Sequence, residues 1–149
     1  MKRLEFGIAM RIATEHLSYR SLIEEIESDL VRCREAQSTE NLRRLFESFH
    51  TQVRHHFALE ERGGLFDVYQ EHGFAFRQHA EGMRAQHRDF TARMRGIRES
   101  VSTLDRPAGP AFERCARELR ALFADLREHE RAEDALLEHF VERDIRHQD

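Results

Sequence analysis

The stretch HHFALEERGG, residues 55–64, places two adjacent histidines before a pair of glutamates and ends in two glycines. In a helix, residues four apart share one face, whereas neighbours point about 100° apart. His56 and Glu60 therefore share a face, and His55 is turned away from it. The glycines predict a local irregularity or a C-terminal cap, because glycine weakens a helix. Which histidine lies inside depends on where the apolar residues of this helix lie.

Long helices account for nearly the whole chain. Only two prolines occur, both in the segment 104–110, and other helix-stopping residues cluster at 37–39 and around Gly73. A serine or threonine in the first of these clusters is suited to cap a new helix. The spacing predicts helices over residues 10–36, 39–71, 74–103 and 109–146. Four long helices with short connections predict a single all-α domain, residues 1–149, folded as an antiparallel up-down-up-down four-helix bundle.

Composition and charge limit the classes of function. Charged residues make up 35% of the chain and hydrophobic residues 40%, and the net charge is −4. Acidic and basic residues are interleaved, which is typical of solvated helix faces and disfavours nucleic-acid binding. No uncharged stretch is long enough to cross a bilayer. We therefore expect a soluble, cytoplasmic protein with neither a nucleic acid nor a membrane as its partner.

Each predicted helix carries an inward stripe of apolar residues that turns polar at one level. Counted along the helices, the polar positions lie at levels that agree to within about 8 Å. Burying them without a cation would leave donors and acceptors unsatisfied, each at a cost of about 1–3 kcal/mol. The pattern therefore predicts a metal centre. Its candidate ligands are His16, His56, Glu60, His87, His129 and Glu133.

The two halves of the chain repeat this pattern. His16 precedes the first His-x-x-x-Glu pair by 40 residues, and His87 precedes the second by 42. The repeat favours two metal ions, each held by two histidines, with two glutamates able to bridge them. Imidazole and carboxylate ligands suit iron, manganese or zinc. A ferritin-like centre needs Glu-x-x-His on two helices, and only Glu47 and His50 fit that pattern.

In order and spacing these residues resemble the hemerythrin-like, or HHE cation-binding, domain family. The matching segments are TEHLSYRSL, HFALEE, RAQHRDF and REHERAED, and the resemblance covers nearly the whole chain. It implies a four-helix bundle with two iron ions in an oxo- or hydroxo-bridged di-iron centre, with zinc or manganese less expected. The six candidates occupy the ligand positions. Members of the family include oxygen carriers and sensors, and di-iron proteins that handle nitric oxide or repair iron-sulfur clusters.

The chain departs from the oxygen carriers on its third helix. The carriers have a second histidine one turn before the first, and this chain has Met83 there. On the fourth helix they have an aspartate five residues after the histidine, a spacing that Asp134 fits, although Glu133 lies nearer the inward stripe. Four histidines instead of five would make the two ions more alike and more open. This disfavours reversible oxygen carriage and leaves redox chemistry or sensing.

Three classes of function stay open. The leading one is a di-iron protein that binds, senses or reduces a small oxidant or diatomic, namely oxygen, nitric oxide or peroxide, with an unidentified redox partner. Passive metal binding and a metal-cross-linked interaction module are the alternatives. Whether the protein is an enzyme is left open.

Several other side chains have two interpretations each. Tyr19, one turn from His16, is either a core residue or a hydrogen-bond donor to a bound ligand. Gly63, one turn after Glu60, marks either a helix irregularity or a path for a small molecule. The six remaining histidines are expected at the surface or at helix ends. Cys33 and Cys115 continue inward stripes, which predicts free, buried thiols near one another at the end of the bundle remote from the termini.

Overall fold

A computed structural model describes residues 6–146, apart from the side chains at positions 144 and 145. This part of the chain is helical and contains no β-strand, so the predicted all-α class is confirmed. Four helices are long and one is short. They are α1 (Phe6–Ala36), α2 (Glu40–Arg62), α3 (Leu65–Glu71), α4 (Phe74–Ser102) and α5 (Pro110–Arg146).

The four long helices form a closed ring in chain order. α1 packs against α2 and α5, and α4 packs against the same two helices. The turns that follow α1 and α4 meet at one end, where the Thr39 hydroxyl donates to the carbonyl oxygen of Leu104 at 3.2 Å. Thr39 therefore ties two turns together and makes no side-chain cap for α2. Adjacent antiparallel helices joined by short turns give the bundle that the sequence predicts.

The prediction of one continuous helix over residues 39–71 is wrong. The helix divides at Gly63 and Gly64: the N–H of Gly63 makes the last helical bond of α2, to the carbonyl oxygen of Leu59 at 2.6 Å. Gly64 then takes a φ of 98°, which a residue with a Cβ adopts only with strain. The break starts the short helix α3, which buries four apolar side chains: Leu65, Phe66, Val68 and Tyr69.

The apolar core consists of two clusters separated along the bundle. The upper cluster lies towards the turns after α1 and α4, and the lower cluster includes the buried face of α3. Between them every long helix turns polar; on α1, for example, His16 falls between Ile12 of the lower cluster and Tyr19 of the upper one. The two clusters therefore enclose a polar layer from both sides.

Both cysteines are free thiols in the upper cluster, and their predicted burial is confirmed. The Cys33 thiol donates to the carbonyl oxygen of Leu30 at 3.7 Å. Their closeness to one another stays a prediction. Among the described helices, none is both long and apolar enough to span a membrane.

Candidate metal centre

The six candidate ligands converge in the polar layer, and each is at most 4% exposed. They fall into two overlapping groups of four, within which one donor atom per residue lies within 4.8 Å of the others. The first group is His16, His56, Glu60 and Glu133. The second group is His87, His129, Glu60 and Glu133. Both glutamates belong to both groups, which is the shared arrangement expected for two ions with bridging carboxylates.

Within each group the imidazoles point Nε2 at the centre. His16 Nε2 lies 3.0 Å from His56 Nε2, and His87 Nε2 lies 3.3 Å from His129 Nε2. A neutral imidazole carries one proton, so the position of that proton decides what these contacts mean. The contacts of the other ring nitrogen, Nδ1, set the position of that proton.

Three of the four Nδ1 atoms, those of His16, His129 and His87, make a hydrogen-bond contact with a side-chain oxygen on the outer side of the site, whereas His56 Nδ1 makes none among the described residues. Where that contact is a hydrogen bond, it holds the proton on Nδ1 and leaves the Nε2 lone pair directed inward. In the second group both Nε2 lone pairs then point inward 3.3 Å apart, and they repel one another unless a cation lies between them. The Nδ1 contacts are His16 to Asp134 Oδ1 at 2.8 Å, His129 to Gln86 Oε1 at 2.6 Å, His87 to Glu61 Oε1 at 3.4 Å and His56 to Glu15 Oε2 at 3.7 Å.

The two shared carboxylates also lack the partners that burial requires. Within the described part of the chain, no oxygen of Glu60 or Glu133 has a well-directed hydrogen-bond partner, although both side chains are fully buried. Glu60 Oε1 lies 2.6 Å from His56 Nε2, and Glu133 Oε1 lies 2.8 Å from His16 Nε2. In the second group the distances are longer, 3.8 Å from Glu60 to His87 and 3.5 Å from Glu133 to His129.

Burial and mutual contacts shift the pKa values of Glu60, Glu133 and His87. Burial, together with the charge of Glu133, raises the pKa of Glu60 well above its usual range. Burial opposes ionisation of Glu133 as well, but the close contacts of its carboxylate with Glu60 and the histidines hold its pKa well below that range. Burial and the charge of His129 lower the pKa of His87 to about 3, so its imidazole is neutral. Neutral imidazoles and unpaired carboxylate oxygens are the donors that a metal ion requires, so the residues fit a metal.

A model of the hemerythrin HHE cation-binding domain matches residues 8–141. The chain belongs to this family. Comparisons with curated proteins and with solved structures give no significant match. Membership of a cation-binding family and two buried groups of donors together indicate a metal site in the polar layer.

Asp134 of this HHE domain lies outside the centre. Its Oδ1 contacts the outer ring nitrogen of His16, Nδ1, at 2.8 Å, and its Oδ2 accepts a hydrogen bond from Arg20 Nη2 at 2.7 Å. Arg20 also pairs with Glu130, which is fully buried and has one oxygen without a partner. The sequence interpretation missed Glu130, although its position four residues after Leu126 and three before Glu133 puts it on the inward face of α5.

Two tyrosines approach the HHE centre from opposite clusters. Tyr19 belongs to the upper cluster, with the Glu130 carboxylate beside its hydroxyl, and Tyr69 belongs to the lower one, with no hydrogen-bond partner for its hydroxyl among the described residues. Burial and neighbouring carboxylates, Glu133 among them, raise the pKa of both phenols. Both are therefore O–H donors at neutral pH. Tyr69 was missed because nothing local in the sequence shows that α3 folds against the site.

Two surface cavities beside α4 are lined by histidines of the HHE centre. A cavity of about 590 Å³ between α4 and α5 is lined by Met83 and His129, and one of about 400 Å³ between α2 and α4 is lined by His87. Gly63 lines neither, and its N–H bond to Leu59 identifies it as the residue that ends α2. These contacts support the helix irregularity and give no support to a small-molecule path at Gly63.

The expectation that the other histidines lie at the surface or at helix ends is wrong for His50. This side chain is 7% exposed and stacks on Phe46, with ring centroids 6.1 Å apart. It lies six residues before His56, in the part of α2 that packs with the upper cluster, and belongs to neither group of donors. His147 lies outside the described residues.

Proposed function

We propose that this HHE domain is a non-haem di-iron protein that binds, senses or reduces a small oxidant or diatomic such as oxygen, nitric oxide or peroxide. The observation that carries the proposal is the pair of four-donor groups sharing two carboxylates. In it, His16 and His56 hold one ion, His87 and His129 hold the other, and Glu60 and Glu133 serve both. Imidazole and carboxylate suit iron, which supplies a redox-active centre for a small ligand.

Charge favours such a ligand. Two divalent cations held by two carboxylates and four neutral imidazoles form a centre with a net positive charge, buried in a low-dielectric layer. An anionic ligand offsets that net positive charge. The ligand, like the redox partner, is part of the proposal.

The surrounding side chains prepare the site for a ligand that accepts hydrogen bonds. Tyr69 supplies a protonated hydroxyl with no partner among the described residues, and Tyr19 supplies a second one beside the Glu130 carboxylate. Phe57 stacks on the ring of His87 at 3.9 Å between centroids, and Phe66 lies 5.6 Å from the same ring. These rings limit water around the second group, whereas the hydroxyls offer directed contacts.

Access favours the second group as the place where a ligand arrives. The two cavities beside α4 reach His87 and His129. A smaller cavity of about 240 Å³ reaches Tyr19 and Glu15 on the outer side of the first group.

The test begins with metal analysis of protein purified without added metal. We expect about two iron ions per chain and near-ultraviolet absorption that appears with oxygen and is lost on anaerobic reduction. Tyr19→Phe and Tyr69→Phe should retain iron but react more slowly with oxygen or nitric oxide, because each removes one donor. Tightly held zinc with no response to either gas would contradict the proposal. It would favour passive metal binding or a metal that only cross-links the helices.

A further inference from the structure

The cavity between α2 and α4 is bordered by an unusual set of charges. Two arginines come from α2 and two from α4, and Glu61 is the only carboxylate among the described residues that line it. We name it the arginine groove after Arg54, Arg62, Arg88 and Arg95. The chain as a whole is acidic, with a net charge of −4, so this concentration of positive charge is local.

The four arginines are exposed, and none forms an ion pair with another described residue. Arg98, further along the same helix pair, differs because it pairs with Glu47 at 2.6 Å. The positive charge extends to His50: burial lowers the pKa of this side chain, the charges of Arg54, Arg98 and Arg95 lower it further, and the charge of Glu47 opposes them. Unpaired like charges on two packed helices repel one another, and a negatively charged partner would offset that repulsion.

The floor of the groove leads to the centre. His87 forms part of it, with its Nδ1 3.4 Å from Glu61 Oε1, and Phe57 stacks on the His87 ring. The other floor residues are small, and the Thr91 hydroxyl is already bonded to the backbone carbonyl of His87 at 2.7 Å. The groove thus places a candidate metal ligand directly beneath a positively charged rim.

The groove on the other side of α4 provides a comparison within the same molecule. It reaches His129 but is lined by three carboxylates, Asp89, Asp125 and Glu128. Its one arginine, Arg93, pairs with Asp125 at 2.8 Å and lies 3.5 Å from Asp89. The two approaches to the second group therefore differ in the sign of their charge.

We propose that the arginine groove is the docking surface for an acidic protein, a one-electron carrier. The inference rests on the proposed redox function, which needs electrons from outside. In each encounter the carrier's reduced cofactor gives up one electron and leaves oxidised, and one ferric ion beside His87 becomes ferrous. Carboxylates around the carrier's cofactor pair with the arginines while the complex lasts.

The exposure and spacing of the arginines favour a protein over a small anion as the partner of the groove. A small-molecule site has a few buried polar groups that converge on its ligand. Here the charges are exposed and spread along the helices, with Arg54 and Arg62 about 12 Å apart along the axis. Exposed charges of one sign over an open surface steer transient complexes, including those of redox proteins.

The experiment follows reduction of the oxidised iron-loaded protein by a reduced acidic plant-type ferredoxin, used as the probe carrier. At low ionic strength, Arg54→Glu/Arg95→Glu should slow the bimolecular rate at least about tenfold. Arg117→Glu/Arg120→Glu, which makes the same change in net charge on the exposed face of α5, should stay within about twofold of the wild type. At about 0.5 M salt the wild type and the groove variant should converge.

A second readout is binding of oxidised ferredoxin without turnover, which the groove variant alone should lose. Photoreduced flavin, a reductant that is not a protein, distinguishes failure of the proposed redox function from failure of the docking inference. If neither flavin nor ferredoxin reduces the wild type, the proposed redox function fails. If flavin reduces every variant equally and the groove variant keeps its ferredoxin rate and binding, the docking inference is overturned. Tight binding of tripolyphosphate without ferredoxin binding would also overturn it, because the groove would then hold a small anion.

Discussion

Replacing His56 by alanine should remove metal from one half of the centre. His56 belongs to the first group alone, whereas Glu60 and Glu133 belong to both. The variant therefore keeps all four donors of the second group. We expect about two ions per chain in the wild type and one or none in His56→Ala. His55→Ala is the matched control, since it is the adjacent residue, exposed on α2 and directed away from the centre.

The thermal effect follows from linkage. With free metal at 100 times its dissociation constant, one bound ion stabilises the fold by about 2.7 kcal/mol. For a chain of this length that corresponds to about 5–11 °C in the melting temperature. Adding a chelator should therefore lower the melting temperature of the wild type about twice as much as that of His56→Ala. The difference between the two chelated proteins gives the packing cost of the lost imidazole.

Calorimetry with and without chelator, combined with metal analysis, measures both quantities. His129→Ala is the counterpart in the second group and should behave in the same way. If His56→Ala and His129→Ala both keep two ions, the assignment of ligands is wrong. Equal chelator shifts in the wild type and both variants would show that the groups do not hold separate ions.

Three further predictions concern ionisation, backbone and thiols. Because burial and Glu133 raise the pKa of Glu60, metal binding should release a proton from Glu60. Metal affinity should therefore fall as the pH falls, by up to about tenfold per pH unit. Competition titrations at several pH values measure this dependence, and Glu60→Gln should abolish the proton release. Gly64→Ala should lower the melting temperature by about 2–8 °C, since its φ is positive, whereas Gly96→Ala in the middle of α4 should raise it by about 1–4 °C. Burial raises the pKa of Cys33 and that of Cys115, the latter to about 11, so thiol reagents at neutral pH should modify both only after unfolding; rapid labelling of the folded protein would contradict this.

Local helical geometry made much of the site predictable. A period of 3.6 residues puts His56 on the apolar stripe of α2 and His55 off it, whatever the rest of the chain does. A rise of 1.5 Å per residue likewise brings the polar positions of four helices to one level. The same geometry predicted the bundle and the burial of the cysteines. These features depend on spacing along one helix, which a sequence contains.

Contacts between helices could not be predicted from the sequence and are known only from the tertiary structure. The glycines at 63 and 64 predicted an irregularity in the helix. Only the φ of Gly64 and the burial of α3 show that the helix breaks completely there, and this break brings Tyr69 to the site. The sequence also predicted two similar ions, yet Asp134 holds a histidine of the first group and Gln86 holds one of the second. A carboxylate and an amide polarise an imidazole differently. Such partners depend on how each helix is rotated against its neighbour, and that rotation is set by packing over the whole bundle.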